Sequence, residues 1–237
     1  MKITEYENDL KYDVPPMLCD KVIRDSIKNP LPNMTHYMGM IGKPGSGKSS
    51  LMITMLTHPD MYHKCFHNVF VCMPKTSRSS LAGDPFKDHP EEKLFDELTP
   101  HVLQYVLEYC RVASEEKQWS LLILDDCAAE LKNKEVERVL KHLIWNRRHL
   151  KLSIWIMSQS YNAMPLSIRK ALSHAVMFKP ANKKELEAVF SELIFHTREQ
   201  QEVLSHHCFP EGEPHNFLFL DCNKSHVHKN FNRIQLE

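Results

Sequence analysis

Short apolar runs alternate with amphipathic segments along most of the chain. Six of these runs predict strands, at residues 36–41, 68–73, 120–126, 152–159, 174–178 and 216–222. Helical spacing of apolar positions and capping patterns predict helices at residues 47–56, after Thr99, at residues 133–148, after Asn182 and after Thr197. Strands separated by helices favour a mostly parallel sheet with helices on both faces, so we predict an α/β fold.

The order of the elements predicts one domain over residues 31–237, preceded by an N-terminal arm over residues 1–30. Prolines at positions 15, 16, 30 and 32 mark the arm and its junction with the domain. A long polar loop follows the second strand at residues 74–92. After the sixth strand, a turn at residues 223–225 leads into an irregular end. We find no internal repeat and no low-complexity tract that would divide the chain further.

Composition narrows the class of protein without identifying it. The 237 residues are 42% hydrophobic, and 30 Lys and Arg balance 30 Asp and Glu, so no net basic field indicates nucleic acid. A few basic loops would barely alter that balance, so nucleic acid is not excluded. Seven scattered cysteines without a C-x-x-C pair favour a reducing compartment. The apolar runs are far shorter than the roughly 20 residues of a membrane span, and no secretory signal is evident, so we expect a soluble intracellular protein.

The first chemical motif is GKPGSGKS at residues 42–49, which fits the Walker A pattern G-x-x-x-x-G-K-[ST] between a predicted strand and a predicted helix. Glycines let the backbone N–H groups close around phosphates, and the helix N-terminus adds partial positive charge. Lys48 would reach the β- and γ-phosphates, and Ser49 would bind Mg²⁺. The predicted nucleotide-binding residues are Gly42, Pro44, Gly45, Ser46, Gly47, Lys48, Ser49 and Ser50.

The second motif is the acid pair that ends SLLILDD, the Walker B position. In phosphate-loop NTPases an acid at the end of a neighbouring strand holds Mg²⁺, which is the role we expect for Asp125. Successive side chains of a strand alternate faces, so Asp126 points elsewhere and would deprotonate the attacking water. The alternative role for Asp126 is capping of the following helix.

Two later features also favour hydrolysis. Gln159 ends a buried strand where parallel sheets bind ligands, so it would sense the γ-phosphate or position water, or else only satisfy loop backbone. Arg147 and Arg148 end the helix after the acid pair. They would either reach a neighbouring subunit's nucleotide as a trans finger or complement the helix C-terminus.

Other phosphate-loop families fit less well. The N-K-x-D motif of regulatory GTPases fails at residues 182–185 and 223–226, and the L-S-G-G-Q signature of ABC transporters is missing. A nucleoside kinase fits the length but is expected to carry an arginine-rich lid. Fifteen histidines include no partner pairs at zinc-finger spacing, so Mg²⁺ carried with ATP is the expected cation.

Four motifs occur together in order and spacing: GKPGSGKSSLM, LLILDD, the RRH that ends the next helix, and IWIMSQS. Over about residues 36–180 the chain resembles the genome-packaging ATPases of nucleocytoplasmic large DNA viruses and their virophages. These form the poxvirus-type branch of the FtsK–HerA group of P-loop motors. The resemblance implies the additional-strand (ASCE, RecA-like) class, in which a strand lies between the phosphate-loop strand and the acid-pair strand.

The resemblance also implies an activity and partners. Motors of this family hydrolyse ATP with Mg²⁺ to pump double-stranded DNA, independently of its sequence, into a preformed capsid. It implies a homo-oligomeric ring, a capsid or portal vertex partner, and a place in the host cytoplasm (viral factory) or on the virion. By motif, the implied roles are Asp125 and Ser49 for Mg²⁺, Asp126 as base, Gln159 as sensor, and Arg147 or Arg148 as trans finger. Many motors of the wider group have Glu at the second acid, so water would need a closer approach to Asp126 or a second, intervening water.

Basic residues in two loops are candidates for DNA contact, namely Lys75, Arg78, Lys132 and Lys134. Solvated loop positions are the alternative for each of them. Two other functions also stay open at the level of sequence. One is a small-molecule, nucleoside-type phosphotransferase that ignores DNA, and the other is a nucleotide-gated assembly protein with little turnover.

Overall fold

The computed structural model describes residues 21–79, 86–194 and 196–235. Its strands are β1 Tyr37–Ile41, β2 Asn68–Cys72, β3 Leu94–Phe95, β4 Ser120–Asp125, β5 Leu152–Ser158, β6 His174–Phe178, β7 Phe217–Asp221, β8 His226–Lys229 and β9 Asn232–Ile234. Its α-helices are α1 Lys48–Thr57, α2 Lys75–Ser79, α3 Pro100–Glu115, α4 Lys134–Asn146, α5 Leu166–Arg169, α6 Lys183–Leu193 and α7 Arg198–Cys208. Each strand and helix predicted from the sequence has a counterpart among them.

The nine strands of the described residues form one sheet in the order β3-β2-β4-β5-β1-β6-β7-β8-β9. The pairings from β3 to β6 are parallel, and those from β6 to β9 are antiparallel. The mostly parallel α/β prediction is therefore confirmed. Strand β5 lies between the phosphate-loop strand β1 and the acid-pair strand β4, which is the arrangement implied for the additional-strand class.

Alternate residues of the central strands pack into two separate cores, one on each face of the sheet. Tyr37, Leu122 and Ile154 belong to the core that α3, α4, α6 and α7 cover. The next residue of each strand points the other way. Those residues, Met38, Ile123 and Trp155, join the core under α1. Helices thus cover both faces, as the strand–helix alternation predicts.

Part of the predicted N-terminal arm packs against this second core. Ile27 of the arm, and Leu31 just after it, are buried in the same cluster as Met52 of α1. Residues 1–20 of the arm lie outside the described residues, and the domain boundary at residue 30 stays a prediction.

Two helix starts follow their capping patterns. The Asn182 side chain accepts a hydrogen bond from the Glu185 backbone N–H at the start of α6. At α7 both halves of a capping box form between Thr197 and Gln200. These local hydrogen bonds explain why both starts were predictable from the sequence.

Two parts of the sequence prediction were wrong. The irregular end predicted after residue 225 is a pair of antiparallel strands, β8 and β9, that extends the sheet. The polar loop at residues 74–92 contains α2, and a 3₁₀ turn follows at its end before the two-residue strand β3. These elements are short and polar, so they lack the apolar periodicity from which strands and helices are predicted. They form because of their contacts with the rest of the fold. Residues 80–85 of that loop lie outside the described residues.

Candidate nucleotide-binding and hydrolysis site

The phosphate loop joins β1 to α1 at the carboxyl edge of the sheet. Gly45 and Gly47 adopt positive φ angles of 75° and 108°, which side chains strongly disfavour. Gly47 is also the N-cap of α1 and supplies no side-chain hydrogen bond, and the first turn carries no acidic residue. The N-terminal N–H groups of this helix and their partial positive charge are therefore available to an anion.

The lysine of the loop is held by the loop itself. Lys48 Nζ donates to the backbone oxygens of Gly42 at 2.6 Å and Lys43 at 3.0 Å. Burial lowers the pKa of Lys48, and the nearby carboxylates of Asp125 and Asp126 raise it. An anionic phosphate would add to the stabilisation of the charged ammonium.

A buried hydroxyl also fits a phosphate here. Ser46 Oγ is buried and has no hydrogen-bond partner within the described part of the chain. Buried polar atoms are rarely left unpaired, and phosphate oxygens would accept a hydrogen bond from this one. The loop therefore fits a polyphosphate by its glycines, its lysine and this hydroxyl.

The two acids at the end of β4 lie in different surroundings. Asp125 is 8% exposed, and burial raises its pKa to about 6 although Lys48 acts in the opposite direction. Asp126 is exposed and adopts a positive φ of 56°, which turns its carboxylate away from the line of the strand. The chain thus separates one buried carboxylate from one accessible carboxylate at adjacent positions.

Side chains from two other elements contact the accessible carboxylate. Gln159 Nε2 donates to Asp126 Oδ1 at 3.3 Å, and Ser77 Oγ donates to Asp126 Oδ2 at 3.5 Å. The helix after the acid pair is capped by Asn133, whose side chain accepts from the Glu135 backbone N–H. Asp126 therefore contacts the sensor position and α2, and does not cap α4.

Strand register explains why these groups meet. Ile41 of β1 pairs with Ser158 of β5, and Asp125 of β4 pairs with Met157, so the three strands end at one edge. A cavity of about 230 Å³ at that edge is lined by Pro44, Gly45, Lys48, Ser49, Ser77, Asp125, Asp126, Met157, Ser158 and Gln159. The structure therefore brings together the predicted loop, both acids and the predicted sensor.

The arginine pair lies elsewhere. Arg147 and Arg148 line a cavity of about 360 Å³ together with residues 29–35 and His174, at the amino ends of β1, β5 and β6. Arg147 Nη1 donates to the Ile144 backbone oxygen at 3.0 Å, while its Nε is buried and unpaired within the described residues. The pair precedes β5, and the phosphate loop follows β1 at the level of the far end of β5. The seven residues of β5 span about 23 Å, which is the approximate separation of the pair from the loop.

The cation-binding chemistry of the site is that of hard oxygen ligands. Asp125 and Ser49 line one cavity, and a cation there would compensate the buried carboxylate, whose pKa burial has already raised. Among the described residues, no group of three or more His, Cys, Asp or Glu side chains is placed to hold a metal ion. A single carboxylate with a hydroxyl suits Mg²⁺ bound together with substrate phosphates.

A second cavity, which the sequence did not reveal, adjoins the other side of the phosphate loop. Its volume is about 440 Å³, and three of its lining residues, Phe178, His215 and Phe217, come from the end of β6 and the start of β7. No motif marks these residues, because they enter the site only through the antiparallel pairing of β7 with β6. Ser77 was missed for a similar reason, since it lies in a segment predicted to be loop.

A phosphate loop, an acid pair and a polar strand end between them, on an additional-strand sheet, define the class of P-loop ATPases to which FtsK- and HerA-type proteins belong. Comparison with known proteins identifies the family within this class. The Poxvirus A32 protein family matches residues 24–206, well over half of the chain, and the chain belongs to that family. The resemblance seen in the four motifs is thereby confirmed.

Solved structures share the fold. The DNA-packaging ATPase B204 of Sulfolobus turreted icosahedral virus superposes with a TM-score of 0.63 at 17% identity, covering 86% of this chain and 100% of that one. The packaging NTPase B204 of Sulfolobus turreted icosahedral virus 2, in complex with AMPPCP, gives 0.60 at 14% identity, covering 85% and 99%. EssC (ATPases 2 and 3) of Geobacillus thermodenitrificans gives 0.58 at 15% identity, covering 84% and 39%.

One curated relative is similar in sequence. The uncharacterized protein 015R of frog virus 3 (isolate Goorha) is 26% identical over 151 residues, which are 60% of this chain and 44% of that protein. The chain thus aligns with less than half the length of this relative. No described helix is long and apolar enough to cross a membrane.

Proposed function

We propose that this chain is the ATPase of a viral genome-packaging motor, which hydrolyses ATP to move double-stranded DNA into a preformed capsid. The observation that carries the proposal is the meeting of Lys48, Asp126 and Gln159 at one cavity, in a chain of the poxvirus A32 family. The packaging NTPases of the two Sulfolobus viruses share its fold, and one was solved with ATP analogues.

Nucleotide binding begins with an exchange of hydrogen bonds. Lys48 leaves the carbonyl oxygens of Gly42 and Lys43 for the β- and γ-phosphates, while the loop N–H groups and the Ser46 hydroxyl bind further phosphate oxygens. Ser49 and Asp125 would hold Mg²⁺, which would neutralise phosphate charge when bound. These residues keep the polyphosphate fixed at the edge of the sheet.

Hydrolysis is the work of the accessible acid. Asp126 accepts a proton from the attacking water as the water oxygen bonds to the γ-phosphorus and the bond from that phosphorus to ADP breaks. Without nucleotide, the amide of Gln159 and the hydroxyl of Ser77 hold the Asp126 carboxylate. The Gln159 amide has the second task of contacting the γ-phosphate, so binding of the nucleotide competes with its bond to Asp126. The acid and the sensor thereby respond to the same phosphate.

The ring completes the site. Arg147 and Arg148 lie at the amino ends of the central strands, and the nucleotide would bind at the carboxyl ends. Neither arginine can therefore reach the nucleotide of its own chain. A finger role for either one requires a second copy of the chain. In a homo-oligomeric ring one arginine stabilises the charge that develops on the neighbour's phosphates.

Double-stranded DNA is the proposed cargo, held through its phosphates without base readout. Lys75 and Arg78 both form ion pairs with Asp96, at 3.1 Å and 3.3 Å, which reduces their attraction for DNA. Lys132 and Lys134 are exposed in the segment after the acid pair. We therefore place the DNA contact at residues 132–134, and the capsid or portal vertex partner on another part of the ring.

The test is an ATPase assay with Mg²⁺, with and without long double-stranded DNA, on material of measured oligomeric mass. We expect DNA to stimulate turnover by a ring, and Arg147→Ala or Arg148→Ala to inactivate pure rings. Rings that mix such a variant with Lys48→Ala chains should regain part of the activity, because each chain supplies what the other lacks.

Other results would favour other functions. DNA-independent turnover by a stable monomer would refute the motor. ADP formation that depends on an added nucleoside would identify a phosphotransferase, and binding without turnover above that of Asp126→Asn would identify a nucleotide-gated assembly protein.

A further inference from the structure

The cavity of about 440 Å³ beside the phosphate loop is open to that loop but lies on the side away from the acid pair. Its walls are residues 45–51 of the loop and α1, Thr54 one turn further along, and Phe178, His215 and Phe217. Neither acid lines it, whereas both line the smaller cavity. A polyphosphate on the loop would therefore have the reacting end on one side and room for the rest of the nucleotide on the other.

The floor of this cavity is apolar and fixed in place. Phe178 and Phe217 are 2% and 7% exposed, and they are register partners where β6 and β7 pair. Their ring centroids are 5.5 Å apart, and Phe217 packs in turn on Phe231 at 5.2 Å. Aromatic side chains held by strand pairing present a preformed surface, which reduces the ordering cost of binding a flat ligand.

The imidazole ring of His215 lines this cavity. His215 is exposed, and its Nδ1 lies 3.1 Å from the Ser46 backbone oxygen. Because a carbonyl oxygen only accepts, Nδ1 carries the proton, and Nε2 of the neutral ring is left as an acceptor. This hydrogen bond anchors the imidazole to the phosphate loop.

Gly47 keeps the loop and this cavity in contact. A Cβ at Gly47 would lie 3.4 Å from His215 Nδ1 and 3.5 Å from Phe178 Cε1. Even a methyl group would therefore occupy the space between the loop and the imidazole. Gly47 therefore borders the cavity, and its lack of a side chain leaves this space empty in addition to permitting the positive φ.

We propose that this cavity binds the base of the nucleoside triphosphate, with His215 as the ring on which the base stacks and Phe178 and Phe217 as the floor. The inference rests on the proposed binding of a nucleoside triphosphate by the phosphate loop. Stacking on a side-chain ring contributes to binding whatever the identity of the base, because every base has a π-face.

The same walls determine the selectivity for bases. Among the described side chains outside the motif at residues 42–49, the polar groups of the lining are the Ser50 and Thr54 hydroxyls and the His215 ring. The Ser50 hydroxyl can donate or accept a hydrogen bond, so it favours neither base. Thr54 Oγ1 already donates to the Ser50 backbone oxygen at 2.9 Å, and His215 Nδ1 is bound to Ser46. Strong discrimination needs side chains that pair with the edges of the base. The cavity therefore accepts adenine and guanine with similar affinity.

Two substitutions separate stacking from anchoring. His215→Asn keeps an N–H donor for the Ser46 oxygen and removes the ring, whereas His215→Phe keeps a ring and removes the donor. Binding of ATP and of inorganic tripolyphosphate, each with Mg²⁺, is measured by calorimetry on the full chain. His207→Asn, at an exposed position on α7, is the matched control.

We expect His215→Asn to weaken ATP about tenfold and to leave tripolyphosphate unchanged, since only ATP has a base to stack. His215→Phe and His207→Asn should bind ATP within about twofold of wild type, and wild type should bind ATP and GTP within about fivefold of each other. Equal weakening of ATP and tripolyphosphate by His215→Asn would show that His215 only supports the loop and would overturn the proposal.

Unchanged ATP binding by His215→Asn would place the base elsewhere, and a large preference for ATP over GTP would refute the selectivity argument. If wild type binds tripolyphosphate and binds ATP no more tightly, the base contributes nothing. That result would overturn the base site and leave the phosphate site standing. Failure of wild type to bind either ligand would overturn the proposed function itself, and the base site with it.

Discussion

Replacing Asp125 by Asn should stabilise the protein in buffer free of nucleotide and metal, even though it removes a carboxylate assigned to the site. Burial raises the pKa of Asp125 from 3.8 to about 6, so the ionised form is disfavoured in the folded state. Asn has the same shape and no charge. The variant therefore avoids the free-energy cost of burying a carboxylate. It should also lose Mg²⁺-dependent turnover, because Asp125 is proposed to hold the ion.

The size of the effect follows from the pKa shift. A folded pKa above the unfolded one means that the folded protein binds more protons between about pH 4 and pH 6, so ionisation of Asp125 costs stability as pH rises through that window. At about pH 7.5 the cost approaches about 3 kcal/mol, and at about pH 5 it falls to roughly half of that. For a chain of this size, 3 kcal/mol corresponds to a rise in Tm of about 6–12 °C.

The assay is urea unfolding of wild type and Asp125→Asn with a chelator, at about pH 7.5, pH 5 and pH 4. Asp126→Asn is the matched control, because it makes the same chemical change at an exposed neighbour and should shift the free energy of unfolding by less than about 0.5 kcal/mol. The advantage of Asp125→Asn should shrink to below about 1 kcal/mol at pH 4. A variant that is no more stable than wild type at pH 7.5, or an advantage that does not change with pH, would refute the reasoning.

Three further outcomes follow from the same contacts. Gln159→Ala should lower kcat by about 100-fold while nucleotide affinity stays within about threefold, because it removes the amide proposed to contact the γ-phosphate, a contact that counts mainly in the transition state. Single-turnover kinetics would show this, and an equal loss of affinity would argue against it. Glu185→Ala should lower the free energy of unfolding in urea by about 1–3 kcal/mol, and Glu185→Gln should lower it much less. The reason is that the buried Glu185 carboxylate accepts a hydrogen bond from the Tyr161 backbone N–H at 2.6 Å. Equal losses for the two variants would refute the role of Glu185 as an acceptor. Asn133→Ala should cost about 1 kcal/mol by the same measurement through loss of the α4 cap, and an unchanged free energy of unfolding would contradict it.

Much of the fold was predictable because its determinants are local in the chain. Each central strand of the parallel part is a continuous apolar run, and the caps at Thr99, Asn182 and Thr197 are hydrogen bonds within three residues. The phosphate loop is equally local, since its glycines, lysine and helix start lie within eight residues. For these features a short stretch of sequence contains the whole physical cause.

The remaining features depend on which strands become neighbours. Ser77 meets Asp126 only because β2 pairs with β4, and His215 meets Ser46 only because β7 returns antiparallel to β6. Strands β8 and β9 carry histidine, lysine and arginine, and pairing stabilises them where an apolar run does not. A motif search could not reveal these contacts, because their cause is separated in sequence by about 50 to 170 residues.

The hydrogen bonds of the site imply that binding and hydrolysis are coupled through an exchange of partners. Lys48 is held by two carbonyl oxygens of its own loop, and Gln159 is held by Asp126. A triphosphate competes for both side chains, so loss of the γ-phosphate should return Gln159 to the acid. Gln159 is two residues from Tyr161, whose backbone N–H is fixed by the buried Glu185 of α6. A change at the γ-phosphate therefore has a short covalent and hydrogen-bonded route to α6, by which the state of the nucleotide would reach that helix.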